Sequence, residues 1–485
     1  MKIQKQNKFI LILIIISLTI NIAWSFYSLN KFDKVKKNYE GEYFNQLLYS
    51  DLGPTWIIAD KFKQKLDNGE NFFSSIPAYE RFLLPSIIVG FYYHVIDKEI
   101  FETKEENKLV IKEKNYKILL LLFQILIYYS CVLLFSSELY KKFDRQKSNL
   151  IILFLCLEPS LLQWHSSFWS ESIFLSLMIL VFFILLRKSR NFFLNILLGC
   201  IVGLMFMQRS VSFLYILPVC VYFLFTFKKK FKPLYFLLIG YFSVITFIGY
   251  NNFSKTGSVY FIPTHMTYYG YYHYFAHKIL ADRKKITYPE ASEILKNKEF
   301  NWRKKNNINI NNTDDLLKSI KYRNKAFFNE VIQNPLYSIK LFIRRSIKTG
   351  IIMPLWVNKK YYLDKTHPEA QSNPKKYYNK NLIYNLPYSL FIYVFFFVGL
   401  YIKIKKILIN KKKDLQDNFY LFNLISILYF LLIAGFWGNP KYFTPCMISM
   451  SFFFVEGFSF VRKKYFKILI CLILVKKRFQ KFLDY

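Results

Sequence analysis

Side chains able to do chemistry gather where long apolar runs end. "YSDLGPTWIIADKF" sets Asp51 ahead of a Gly-Pro turn and follows it with Asp60. Glu80 and Arg81 open "ERFLLPSIIVGFYY", and Glu158, His165 and Glu171 punctuate "LEPSLLQWHSSFWSESIF". Arg209 closes "GLMFMQRS", His265 precedes Tyr268 and Tyr269, and Lys441 adjoins Tyr442 in "GNPKYF". A carboxylate in such a group can take a proton from a hydroxyl nucleophile, while Arg and Lys neutralise a departing phosphate. Ionisable groups at membrane depth or span ends are costly enough to need individual explanation.

Each residue also has a plain structural role open to it. Arg209 and Lys441 serve equally as interfacial anchors. Glu171, at a helix start, complements the positive end of the dipole. His265 fits a hydrogen-bonded loop, and Asp51 before Gly-Pro fits an ordinary turn. Position alone leaves these alternatives open.

The elements that must position these residues are membrane helices. Of 485 residues, 53% are hydrophobic and 20% aromatic, in blocks of roughly 15–25, the length needed to cross about 30 Å of hydrocarbon. The formal charge of +37 comes largely from short lysine runs between apolar blocks, as cytoplasmic loops require. That placement argues against nucleic-acid binding. Basic "MKIQKQNK" precedes residues 9–29, read as an uncleaved first span with no small-x-small cleavage site, a secretory signal being the alternative. Further spans fall near 117–139, 149–163, 172–187, 192–207, 211–227, 233–250, 384–402, 418–436 and 443–460, and the short tail 465–475 is unplaced.

The expected fold is an all-α polytopic membrane protein of about eleven transmembrane helices, with a long first external loop bearing interfacial helices. Three regions follow: an N-terminal transmembrane module, 1–250, whose external loop 30–116 carries Asp51; an external lid, 251–382, with amphipathic helices; and C-terminal helices, 383–485. Residues 81–96 read as a helix along the outer interface, a true span being the rival. "LYSIKLFIRRSIKTGIIMPLW" reads as amphipathic and surface-lying, although whether 336–356 spans is also open. The six cysteines lie in or beside apolar blocks without CxxC or His/Cys spacing, so no metal site or disulfide framework is expected. No internal repeat or pair of broken helices at matching positions is evident, which counts against a secondary transporter.

Several segments, in order over roughly residues 9–460, resemble the multi-spanning C-type glycosyltransferases that use polyprenyl-phosphate sugars, the superfamily of protein O-mannosyltransferases and aminoarabinose transferases. "DLGPTWIIA" is similar to the first-loop Asp followed by Ala, here Asp51 and Ala59. "YERFLLPSIIVGFYY" resembles the entry to that loop's second helix, without the first proline. "LEPSLLQWHSSFWSESIF" sets Glu171 at the family's acidic position, and "GLMFMQRSVSFLYILPV" supplies Arg209 and Pro218. "NNFSKTGSVYFIPTHMTYYGYYHY" resembles the loop after the seventh span. "NPKYFTP" resembles a late Arg-Tyr-x-x-Pro element, with Lys441, a point charge, in place of the bidentate Arg.

The resemblance implies transfer of a sugar from a polyprenyl-phosphate donor to an acceptor hydroxyl at the outer face of the inner membrane, with inversion. Asp51 would be the general base and Asp60 the fallback. Glu171 would contact the acceptor or the donor sugar, and Arg209 and Lys441 the phosphate; Glu80, Arg81, His165, His265, Tyr269 and Tyr442, which the alternation of loops gathers on the same outer face, are read as further substrate contacts. No cofactor and no metal are expected. Membrane lipids are expected partners, and the acceptor, a lipid, glycan or protein, is left open. The alternative is a polysaccharide (O-antigen) polymerase or a lipid-linked oligosaccharide flippase or transporter.

Overall fold

The computed structural model describes residues 8–23, 53–79, 83–104, 108–111, 114–166, 170–187, 191–227, 231–263, 275–310, 312–352, 374–409, 414–437 and 442–483. Its elements begin with α1 (Lys8–Ala23), α2 (Gly53–Asp67), α3 (Phe72–Ser75) and α4 (Leu83–Val95). A hairpin, β1 (Phe101–Lys104) and β2 (Lys108–Ile111), follows. Then come α5 (Lys114–Lys142), α6 (Arg145–Leu157), α7 (Pro159–Leu162), α8 (Ser170–Leu186), α9 (Phe192–Gln208), α10 (Ile216–Thr226) and α11 (Phe231–Thr256). The chain continues with α12 (His277–Lys284), α13 (Tyr288–Lys305), α14 (Thr313–Gln333) and α15 (Pro335–Ile352). It closes with α16 (Pro374–Ile409), α17 (Leu415–Trp437) and α18 (Thr444–Leu483).

Among the described residues, four helical segments are long and apolar enough to cross a membrane: Ile118–Lys142, Phe231–Thr256, Leu415–Ile433 and Thr444–Tyr465. The apolar helices α1, α4, α8 and α9 and the segment Ser210–Thr226 are each 10–17 residues long, and 17 residues at about 1.5 Å each reach only about 25 Å. The expected count of about eleven spans therefore exceeds what helix length alone supports. Capping explains part of the shortening. The apolar run expected over 149–163 is cut at Glu158, because Pro159 offers no N–H to continue α6. Glu158 instead accepts hydrogen bonds from Leu161 N at 2.9 Å and from Ser160 Oγ, starting α7.

The hairpin departs from an all-α chain. "IFETKEENKLVIKEK" alternates period-two residues around a polar turn, and the strands pair antiparallel, Phe101 with Ile111 and Thr103 with Leu109. The tail left unplaced in the sequence continues α18 to Leu483.

Glycines set two close helix crossings. A Cβ on Gly199 would strike the Leu237 carbonyl oxygen and one on Gly240 the Ile196 carbonyl, so α9 and α11 touch backbone to backbone. Gly399 and Gly457 do the same for α16 and α18 through the Phe453 and Phe395 carbonyls. Small residues permit such approach where neighbouring lipid offers no hydrophobic drive for association. The pairs 199/240 and 203/244 make α9 and α11 parallel, so both C-termini reach the same end of the array.

The region expected as a mostly polar lid holds a folded helical bundle. Helices α12 to α15 enclose their own core of Phe275, Ala276, Ile279, Leu280, Ala291, Leu295, Phe327 and Leu341. α15 rests against α17, with Phe342 and Ser346 over Gly435, and exposes Leu336, Ile339, Ile343 and Ile347 along its outer side.

Candidate active site

Glu171 lies in the first turn of α8, where a carboxylate complements the positive end of the helix. Arg209 caps the C-terminus of α9, its backbone N–H bonding Met205 O at 2.8 Å, and a cation suits that end. Because α8 and α9 are consecutive and antiparallel, these termini share one end of the array. There Arg209 Nη1 lies 3.0 Å from Glu171 Oε1, with both side chains 2% exposed. The guanidinium sits over the Tyr442 ring, 5.1 Å from its centroid, and the Phe174 ring, 5.7 Å from its centroid. Tyr442 immediately precedes α18, so one buried cation gathers residues from three distant segments.

The contact leaves donor capacity on the cation. A guanidinium has five N–H donors, and among the described residues Arg209 Nε is buried without a hydrogen-bond partner. A buried donor left unpaired carries its desolvation cost, which an oxyanion within reach would offset.

His165 lies in the turn before α8, fully buried. Its Nδ1 is 2.6 Å from Ser172 Oγ, beside Glu171, and its ring packs on Tyr128 with centroids 4.2 Å apart. Burial pushes its pKa down to about 3, so the imidazole is neutral at ordinary pH. It can orient neighbours but contributes no charge to a phosphate. The neighbouring Trp164 donates through Nε1 to Thr444 Oγ1 at 2.9 Å, fixing this turn to α18. Glu158 accepts from Tyr388 Oη at 2.8 Å as well as from Ser160 and Leu161, and works as a structural tie to α16.

Asp60 sits on α2, half-buried, accepting from Gln64 Nε2 at 2.7 Å. Burial raises its pKa above the usual carboxylate value, partly offset by Lys63, a direction that suits a base. Asp51, Glu80, Arg81, His265, Tyr269 and Lys441 lie outside the described residues. The chain just before Glu80 is nonetheless docked at the Arg209 end. Tyr79 Oη donates to Phe206 O at 2.7 Å, Tyr79 N donates to Asn252 Oδ1 at 2.7 Å, and Asn251 Nδ2 donates to Pro77 O at 2.8 Å.

Sequence reasoning missed Phe174 and the Tyr79/Asn252 clasp. Phe174 is one aromatic among many in an apolar run, with nothing in its spacing to set it apart. Paired asparagines at the end of an apolar block, Asn251 and Asn252, were the readable signal for the clasp, since buried amides need partners.

No family model matches the chain, and no curated protein matches it. Among solved structures, it is similar to the archaeal oligosaccharyltransferase AglB from Archaeoglobus fulgidus, in complex with an inhibitory peptide and a dolichol-phosphate. The similarity covers 95% of this chain and 54% of that one, at 10% identity and a TM-score of 0.42. The chain thus spans about half that protein's length.

Proposed function

We propose that the chain is an integral membrane glycosyltransferase that moves a sugar from a polyprenyl-phosphate donor to an acceptor hydroxyl. The membrane is the inner membrane, crossed about eleven times, and the site faces the periplasmic or extracellular side. The chain divides at 1–250, 251–382 and 383–485 into a catalytic transmembrane module, an external region and a closing helix set.

One observation carries this reading. Glu171, Arg209 and Tyr442 lie in three segments, far apart in sequence, that resemble the lipid-phosphate-sugar transferases, and they meet at one buried point. In the reaction, Asp51 takes the acceptor hydroxyl proton as its oxygen attacks the anomeric carbon opposite the phosphate. The bond from that carbon to the phosphate oxygen breaks, inverting the centre, and the polyprenyl phosphate leaves as an anion. Arg209 stabilises that anion through donors that Glu171 does not occupy, and Glu171 with the two rings fixes the guanidinium's direction. Asp60, with its raised pKa, is the second candidate base.

Asp51→Asn tests the assignment. It should abolish sugar transfer while expression, membrane insertion and thermal midpoint stay those of the parent. A variant that still transfers would move the base to Asp60 or elsewhere, and a flippase or transporter would tolerate the change.

A further inference from the structure

Away from Arg209, the α12–α15 bundle carries a groove of about 780 Å³. Six cationic side chains line it, Arg283 and Lys284 from α12, Lys298 from α13, and Lys318, Lys321 and Lys325 from α14, against one carboxylate, Glu330. That carboxylate is already engaged, accepting from Arg283 Nη2 at 3.0 and 2.8 Å. Lys318 is held by Asp315 at 2.8 Å. Among the described residues no ion pair involves Lys284, Lys298, Lys321 or Lys325.

Lys318, Lys321 and Lys325 share one face of α14, and Asp315 balances only the first. Like charges one turn apart, as at Lys321 and Lys325, repel and weaken a helix, so folding alone gives no reason for that pair. The deeper charges do not relieve it: Glu299 is occupied by Arg323 at 2.8 Å and by Arg303. Trp302 and Tyr322, stacked with centroids 4.5 Å apart and planes at 19°, also line the groove.

The bundle stands at the same end of the array as Arg209. α15 packs on Gly435 near the C-terminus of α17, a few residues before Tyr442. Ser258, just past α11, bonds Asp314 at the start of α14.

We infer that this groove binds a polyanionic saccharide chain, one carrying phosphate or carboxylate groups along its length. The unpaired lysines meet successive anionic groups, and the Trp302–Tyr322 stack offers a flat apolar face to a sugar ring. The preference for anions rests on the groove itself. The choice of saccharide over nucleic acid rests on the glycosyltransferase reading.

The test uses the purified full chain in uncharged detergent, titrated by calorimetry with polygalacturonate, poly(glycerol phosphate), neutral dextran, a single-stranded oligonucleotide of matched length, and anionic-lipid vesicles. Both acidic polymers should bind, dextran should not, and the affinity should fall as salt rises from about 50 to about 200 mM. The triple variant Lys298→Gln/Lys321→Gln/Lys325→Gln, at exposed positions, should bind about tenfold more weakly with an unchanged thermal midpoint. Three results overturn the inference: equal binding by the triple variant, tighter binding of the oligonucleotide or vesicles, or no binding of either polymer at low salt. Arg209→Lys separates the two readings, because it should impair transfer and leave polymer binding intact. Polymer binding in a protein that transfers no sugar would sink the enzymatic reading and leave the groove standing, and transfer without polymer binding would do the reverse.

Discussion

The buried Glu171–Arg209 pair gives the sharpest separation between a structural tie and a working cation. Two unit charges 3.0 Å apart attract by about 5 kcal/mol at an effective dielectric of about 20. With both side chains 2% exposed, water screens little of that. Glu171→Leu or Arg209→Met alone strands the remaining charge, at a cost of about 3–5 kcal/mol of stability. Changing both residues removes both charges, and apolar replacements of a whole buried pair are often neutral or stabilising. The double variant should therefore unfold closer to the parent than either single, with a coupling of about 3 kcal/mol. Unfolding in detergent measures the cycle, and consumption of a labelled polyprenyl-phosphate sugar measures function on the same preparations. Stability should return in the double variant while transfer does not, because the guanidinium is gone. Additive single effects, with coupling under about 0.5 kcal/mol, would refute the energetic reasoning. A double variant transferring at the parental rate would confine Arg209 to a structural role.

The glycine crossing and the first-loop acids make their own predictions. Gly240→Leu drives a side chain into the Ile196 carbonyl, so it should lower stability by about 3 kcal/mol or more, read as a fall in thermal midpoint; an unchanged midpoint would mean α9 and α11 do not touch. Burial alone would raise the pKa of Asp67, but hydrogen bonds from His94 and Lys63 outweigh it and hold the group below 3.8. Its stabilisation is thus full above that pH and lost as pH falls through the lower folded value. The pair with His94, 2.7 Å apart and about a third exposed, is screened to under about 1 kcal/mol. Hydrogen exchange of α2 in Asp67→Asn should lose this acid-side step. Asp60, with a raised value, works in the opposite sense, and Asp60→Asn should protect α2 slightly at neutral pH; a matching loss in both variants would show the directions to be wrong.

The membrane helices were legible because hydropathy is a local property. The blocks near 117–139, 233–250, 418–436 and 443–460 correspond to α5, α11, α17 and α18. The start of α7 was written in Glu158-Pro159 but read through, since a single proline in an apolar run is outweighed by average hydropathy. Glu171, Arg209 and Tyr442 stood out by chemical type at span ends, yet their meeting depends on how α8, α9 and α18 pack, which no local pattern encodes. The bundle in 275–352 escaped notice because Phe275, Leu295, Phe327 and Leu341 are widely separated in polar sequence and become a core only when four helices meet. The basic groove was hidden likewise: its lysines are scattered through a long polar region, and only the packing of α12, α13 and α14 brings them to one side.

The central claim is that a phosphate-linked sugar is the substrate, and direct donor consumption tests it. Purified protein incubated with a panel of radiolabelled polyprenyl-phosphate sugars, with a membrane extract supplying the acceptor hydroxyl, should release polyprenyl phosphate from at least one and form a product of inverted anomeric configuration, with Arg209→Met reducing the rate at least about a hundredfold. Release of label with retained configuration, or an Arg209→Met variant as fast as the parent, would contradict the account.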